Sequence, residues 1–537
     1  MKRDAMRFWQ LGFVAGVVLL LCSPLCAQPK RGFAADVSKI IGQPVYRHAS
    51  FGIEVYSLDR HKVVYAKNAQ KLFTPASTTK LLTEGTALEL LGPNFRFHTR
   101  VYRTGPVSAD GTLHGDLVLV ASGDPDLSGR IRPDGTLAFE NVDHGYDGNR
   151  YTKAVPGDPL LVIHELARKI AARGIKKIDG QVLIDISLFP QGEKDLGTGI
   201  VISPICVNDN LIDVTATPGA KPGDPVQLRV SPKSAYAKFV NQLTTGAADS
   251  QSTFDWSKDQ KQPDGSHVVT ITGAMPAGGP SILYSYRVPE PNRFAEMTLV
   301  EALRADGVQA DFAPYGAKVD FSAFRSAYTA ANLVGEHVSP PLSQDVKVTL
   351  KVSQNLHASM MPYILGAVLG HADKHIQQAG FDLEHAFLSK AGLDLSGASQ
   401  SDGAGGARAA FFTPDFMCHY LAFMTTRKNF PVFERALPIL GRDGTLWMFQ
   451  VHSPAAGHVF AKTGTYFVRD RLNDDVMVTA KGLAGYVTSA NGGHYVFALY
   501  VNRVSMPAND LLKVETLLGG TLGKIASAIY TTGPTGP

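Results

Sequence analysis

Cysteine is scarce in this chain: four among 537 residues, with Cys22 and Cys26 inside an N-terminal segment that has the marks of a cleaved leader. Cys206 and Cys418 alone remain beyond it. Two thiols are too few for a disulfide framework; a single bridge in an oxidising compartment stays open, with two buried free cysteines the favoured reading. Charge is also sparse, at 19% of residues against ~25% in ordinary soluble proteins. The 52 basic and 48 acidic side chains are dispersed, with no run dense enough to neutralise a phosphate backbone. Nucleic acid is therefore a poor candidate partner. Long apolar stretches are missing too, except at the N-terminus. There a basic start (Lys2, Arg3, Arg7), an apolar run from Leu11 to Cys22 and a small residue at Ala27 describe a secretory signal peptide over 1–27. Gln10 and Pro24 interrupt the run before it reaches the ~20 residues of a spanning helix. The expectation is an exported protein, periplasmic or in the cell envelope, with no integral membrane span after cleavage.

What is present is a globular composition, 44% apolar, with 52 glycines and 32 prolines to supply turns. The length allows roughly three or four structural units. Ser50–Ser57 alternates apolar and polar residues, and Val63–Ala66 follows a turn, which predicts a hairpin. A helical pattern begins near Ser77 and stops at Gly92-Pro93. Between 99 and 287 the chain turns to short β-rich runs broken by Asp-Gly and Pro-Gly pairs, with one helix near 159–173. Helical patterns resume at 293–304, 351–369 and 414–425, and strands are expected at 459–462, 483–490 and 495–502. The expected organisation is a core in two segments, 28–98 and 288–530, around an inserted β-rich region of two subdomains at 99–287, with a flexible tail at 531–537.

Chemistry points to three short motifs. Ser77-Thr78-Thr79-Lys80 places a hydroxyl and an amine three residues apart, on one face of a helix start, where the amine can act as base for an otherwise weak nucleophile. By itself this pattern is no more telling than a helix-capping serine. Ser353-Gln354-Asn355 adds a second hydroxyl and an amide, and Lys462-Thr463-Gly464-Thr465 adds a cation, two hydroxyls and a glycine on an expected strand. In the order Ser-x-x-Lys, Ser-x-Asn, Lys-Thr-Gly they form the motif set of penicillin-binding proteins and serine β-lactamases.

The sequence resembles the D-alanyl-D-alanine carboxypeptidase/endopeptidases of the low-molecular-mass class C penicillin-binding family, because 276 positions separate Ser77 from Ser353. Gly123-Asp124-Pro125, Ser339-Pro340-Pro341-Leu342, Asn355-Leu356 and Asp443-Gly444-Thr445-Leu446 extend the likeness over most of the chain. Two departures stand out. Ser401–Arg408 replaces the family's usual Asp-Gly-Ser-Gly-Leu-Ser, and Ser359 stands where an acidic residue often follows Asn-Leu-x-Ala. The resemblance implies an α/β (α+β) transpeptidase-like core, an antiparallel sheet flanked by helices, with a large inserted region. It implies Ser77, Lys80, Ser353, Asn355 and Lys462 as catalytic residues, and Thr463, Gly464 and Thr465 as substrate-binding ones. Peptidoglycan stem peptides would be the substrate, β-lactams the inhibitors, and neither a metal nor another cofactor is called for. Two rivals differ in class: a serine β-lactamase or esterase on the same core, against which the long insert counts, and a weakly active wall-binding scaffold, against which the intact motifs count.

Other features carry less. His371 and His375 have helical i, i+4 spacing but no His-Glu-x-x-His pattern and no third ligand nearby, so a solvated face is the reading. Gly403–Gly406 lacks the flanking strand and helix of a phosphate loop and reads as a flexible turn.

Overall fold

The computed structural model describes residues 32–371, 374–406, 410–507 and 511–535. The leader expected over 1–27 lies outside the described residues. The central sheet joins the two ends of the chain. In spatial order it runs Val459–Asp470, Asp475–Thr488, His494–Asn502, Ser50–Ser57, Lys62–Lys67, every neighbouring pair antiparallel, with Val504–Pro507 added along Asp475–Thr488. Its middle strand shows why it is central. Tyr495, Phe497, Leu499 and Val501 enter one apolar cluster, and Val496, Ala498 and Tyr500 enter the other. A strand whose two faces are both apolar needs cover on both. The helices Phe33–Ile41 and Leu511–Thr532 belong to one side, while Lys80–Leu90, Leu342–Val352, Asn355–Val368, Ile376–Lys390 and Pro414–Thr425 cover the other. The result is an antiparallel sheet sandwiched by helices.

A second apolar cluster belongs to the inserted region. Its sheet runs Leu333–Val338, His98–Arg103, Leu117–Val120, Val182–Asp185, and the helix Leu161–Ala171 packs there through Val162, Ile163, Leu166 and Ile170. The helix Pro291–Ala305, where the sequence pattern led us to expect the core to resume, buries Phe294, Met297, Leu299 and Leu303 in this same cluster. Residue 287 thus falls inside one packing unit, and the chain rejoins the first cluster at Leu342. Two three-stranded sheets, Leu211–Thr217 with its neighbours and Ala237–Gly246 with its neighbours, share a smaller cluster around Val214, Leu243 and Ile271.

Local differences from the sequence reading have clear causes. The pattern over 351–369 runs without interruption, yet it splits into two helices, because Ser353 adopts φ +65° and caps the first. The last helix extends to Thr532, two residues into the expected tail. Cys206 and Cys418 are both buried and unpaired. His371 and His375 are exposed. No helix among the described residues is long and apolar enough to cross a membrane.

Candidate active site

Ser77 lies in a 3-10 turn, Ala76–Thr79, that feeds the helix starting at Lys80. Ala76 takes φ +47°, an uncommon conformation for a residue with a Cβ. The turn is tied by side chains: Thr78 Oγ1 donates to Pro75 O at 3.0 Å and Thr79 Oγ1 to Ala76 O at 2.9 Å. This fixes Ser77 at the mouth of the helix, half-buried, with Lys80 one turn deeper and fully buried.

Lys80 Nζ has three partners: Ser77 Oγ at 2.9 Å, Asn355 Oδ1 at 2.6 Å and Ala404 O at 3.0 Å. Two of these, the amide oxygen and the carbonyl, can only accept. They take two N–H bonds, and the third direction on the nitrogen faces the one partner that can donate, the Ser77 hydroxyl. A neutral amine therefore fits with its lone pair on Ser77. Burial draws the Lys80 ammonium down to about 8, opposed by the charges of Asp402, Asp195 and Glu84.

Lys462 is itself fully buried, donates to Thr463 O at 2.9 Å, and has no carboxylate paired with it among the described residues. Burial first, then the charges of Lys80 and Lys481, hold it well below the usual lysine range. The strand that carries it, Val459–Asp470, lies directly against the nucleophile turn. A Cβ placed on Gly464 would meet Pro75 O at 2.3 Å and Ser77 N at 3.0 Å, so only glycine allows this approach. Thr463 Oγ1 donates to Thr445 Oγ1 at 2.7 Å, and Lys481 Nζ donates to Thr465 Oγ1 at 2.6 Å.

The middle motif is held from the inserted region. Ser353 and Asn355 are buried at the break between two helices. Tyr146 aims its hydroxyl at Ser353 O (2.5 Å) and Asn355 Oδ1 (3.1 Å). Gln354 Nε2 reaches Asp143 Oδ1 and Asp209 Oδ2, both at 3.1 Å. The structure thus brings Ser77, Lys80 and Asn355 into direct contact and sets Gly464 on the nucleophile turn, while Ser353 Oγ makes no hydrogen bond to Ser77 or Lys80.

Sequence reasoning missed four contributors. The Ala404 carbonyl bonds Lys80, Asp402 accepts the Gly405 and Gly406 N–H groups at 2.7 and 2.9 Å, Asp195 adds charge, and Tyr146 steadies Asn355. The segment read as a flexible turn is instead a buried wall of the site, where a Cβ on Gly405 would lie 2.1 Å from Ala76 O. Ala407 and Arg408, which complete the divergent segment, lie outside the described residues.

The model of the D-Ala-D-Ala carboxypeptidase 3 (S13) family matches residues 33–515. The chain belongs to that family. It is accordingly a serine-type D-Ala-D-Ala carboxypeptidase of the penicillin-binding type. A D-alanyl-D-alanine carboxypeptidase of Actinomadura sp. (strain R39) is 26% identical over 496 residues, spanning 88% of this chain and 81% of the relative. The carboxypeptidase DacB of Haemophilus influenzae is 23% identical over 472 residues, 85% of this chain and 86% of the relative. The crystal structure of penicillin binding protein 4 from H. influenzae matches with a TM-score of 0.68 at 20% identity, over 92% of this chain and 99% of that one. That likeness shows the shared fold.

Proposed function

We propose that Ser77 is the nucleophile of this S13 carboxypeptidase and that neutral Lys80 is its base. The observation that carries this is the trio of partners on Lys80 Nζ, two obligate acceptors and the Ser77 hydroxyl. In the reaction Ser77 Oγ adds to the carbonyl carbon of the penultimate D-Ala of a stem peptide while its proton passes to Lys80 Nζ. The negative oxygen of the tetrahedral intermediate is held by the backbone N–H groups of Ser77 and Thr465, each such donor contributing about 3–4 kcal/mol in comparable sites. The tight packing of Gly464 on Ser77 supports that pairing.

Collapse of the intermediate breaks the peptide bond. The departing amine of D-Ala takes up a proton, relayed through Ser353, and leaves an ester on Ser77 that water then hydrolyses. Asn355 orients the substrate amide. Lys462, with the hydroxyls of Thr463 and Thr465, meets the terminal carboxylate, which supplies the counter-charge that buried Lys462 lacks among the described residues. Cross-linked stem peptides present the same D-alanyl carbonyl, so DD-endopeptidase activity belongs to the same reading. A β-lactam acylates Ser77 by the same addition. The H. influenzae protein has been crystallised in complex with a β-lactam. The basic-apolar-small pattern of residues 1–27 supports export to the cell envelope.

The test is D-Ala release from a pentapeptide stem, and cleavage of a purified cross-linked muropeptide, by the mature chain and by Ser77→Ala. Release by the former alone is expected. Equal release by both, or none by either, would overturn the assignment.

A further inference from the structure

Across from the Lys462–Thr465 motif, on the strand Asp475–Thr488, sits a buried lysine to which the reaction as described gives no task. Lys481 is directly opposite Thr465 in the antiparallel register. Its Nζ lies 2.6 Å from Thr465 Oγ1. Side chains directly opposite on neighbouring strands project from the same face of a sheet, so the ammonium and the hydroxyl are brought together by the pairing itself. The backbone there has little freedom. Gly464 and Gly482 also face each other in this register, and a Cβ on them would meet Pro75 O of the nucleophile turn at 2.3 and 3.0 Å. Both strands are seated on that turn, and Lys481 is carried with them.

An ammonium gives protons and has no lone pair with which to accept one. Against Lys481, Thr465 Oγ1 can only accept, so the proton of the Thr465 hydroxyl points elsewhere, and no acceptor receives it among the described residues. The neighbouring threonine differs. Thr463 Oγ1 directs its proton to Thr445 Oγ1 at 2.7 Å. Thr465, half-buried, is thus the hydroxyl held with its proton free to give. Charge adds to this. Lys481 is one of the cations that hold Lys462 below the ordinary lysine range, and an anion received close to both relieves their repulsion. Lys351, another buried lysine near the site, offers no such opening, because Asp443 takes its Nζ with both carboxylate oxygens at 2.8 and 2.7 Å.

We propose that Lys481 is a positioning residue for the leaving half of the substrate: by donating to Thr465 Oγ1 it fixes that hydroxyl as a donor to the α-carboxylate beside the scissile bond, and its charge joins that of Lys462 there. The inference rests on the carboxypeptidase reading above, with Lys462 and Thr465 at the terminal carboxylate. It narrows the substrate class to peptides whose leaving amino acid carries a free α-carboxylate. The same peptide with that group masked as an amide is refused.

Two peptides test this, a pentapeptide stem ending in D-Ala and the same stem ending in D-alaninamide, with kcat and KM read separately for the mature chain, Lys481→Met and Lys481→Arg. The wild-type chain should favour the free acid by at least about tenfold in kcat/KM. Lys481→Met should lose most of that preference through a higher KM for the free acid, and Lys481→Arg, which keeps the charge and a donor, should regain part of it. A lysine that merely braced the strand would act differently: its loss would displace the Thr465 N–H, and kcat would fall alike on both peptides. The ratio is read within one preparation, so it does not depend on how much of a variant is folded. If Lys481→Met yields no folded chain, Thr465→Val, which removes the positioned hydroxyl, must show the same loss of preference. A wild-type chain that cleaves both peptides equally overturns the inference without any variant. So does a Lys481→Met chain, or in its place a Thr465→Val chain, that keeps the wild-type preference, and so does a proportional loss on both peptides in Lys481→Met. Cleavage of neither peptide by the wild-type chain removes the carboxypeptidase reading itself, and this inference with it.

Discussion

Lys80 is a lysine with no exposed surface whose neighbours leave one direction on its nitrogen open to a hydroxyl donor. Burial lowers it to about 8, so the sign of its pH dependence is fixed. Below that value the amine holds its own proton and cannot take one from Ser77; above it the base is free. The second-order rate of acylation by benzylpenicillin should therefore climb with pH and level off near 8, losing about tenfold per unit on the acid side. A rate flat between pH 5 and 8 would contradict the assigned base. At this scale the sequence showed the side chains that the proposed mechanism uses, since Ser77, Lys80, Asn355 and Lys462 are visible as residue types at fixed spacing. It was silent on the Ala404 carbonyl, because every residue has one and only the folded path of the chain shows which points at Lys80.

Between residues and the whole stand the turns and strands that hold the groups in register. The strand Val459–Asp470 comes within van der Waals contact of the nucleophile turn only because residue 464 lacks a side chain. Gly464→Ala must push it back from Pro75 O, an overpacking cost of about 1–3 kcal/mol, and should lower kcat/KM for D-Ala release by roughly ten- to a hundredfold. The loop at Ser353 is held from across the cleft by Tyr146. Tyr146→Phe removes that hydroxyl at a cost near 1 kcal/mol, about fivefold in acylation rate, with an unchanged circular dichroism spectrum. Strand and helix types at both ends of the chain were legible from alternation and periodicity. The break at Ser353 was not, because a left-handed serine leaves the apolar periodicity around it intact.

The molecule as a whole is a helix–sheet–helix core whose active-site loop is anchored by its own insertion. Arg130 and Asp143 from the inserted region, with Asp209, make a buried ionic group to which Gln354 is tied. Arg130→Met would strand two buried carboxylates, and urea unfolding should show a loss of about 3–5 kcal/mol. The insertion itself was visible as a change from helical to short β-rich runs, but the place where the core resumes was not. The helix Pro291–Ala305 has the same amphipathic pattern whichever cluster it serves, and only long-range packing assigns it. The account rests on one serine made reactive by its buried lysine, and peptide mapping after exposure to benzylpenicillin tests that most directly. One penicilloyl adduct is expected, on the peptide containing Ser77 and lost in Ser77→Ala. An adduct on any other residue, or equal labelling of the two proteins, would contradict it.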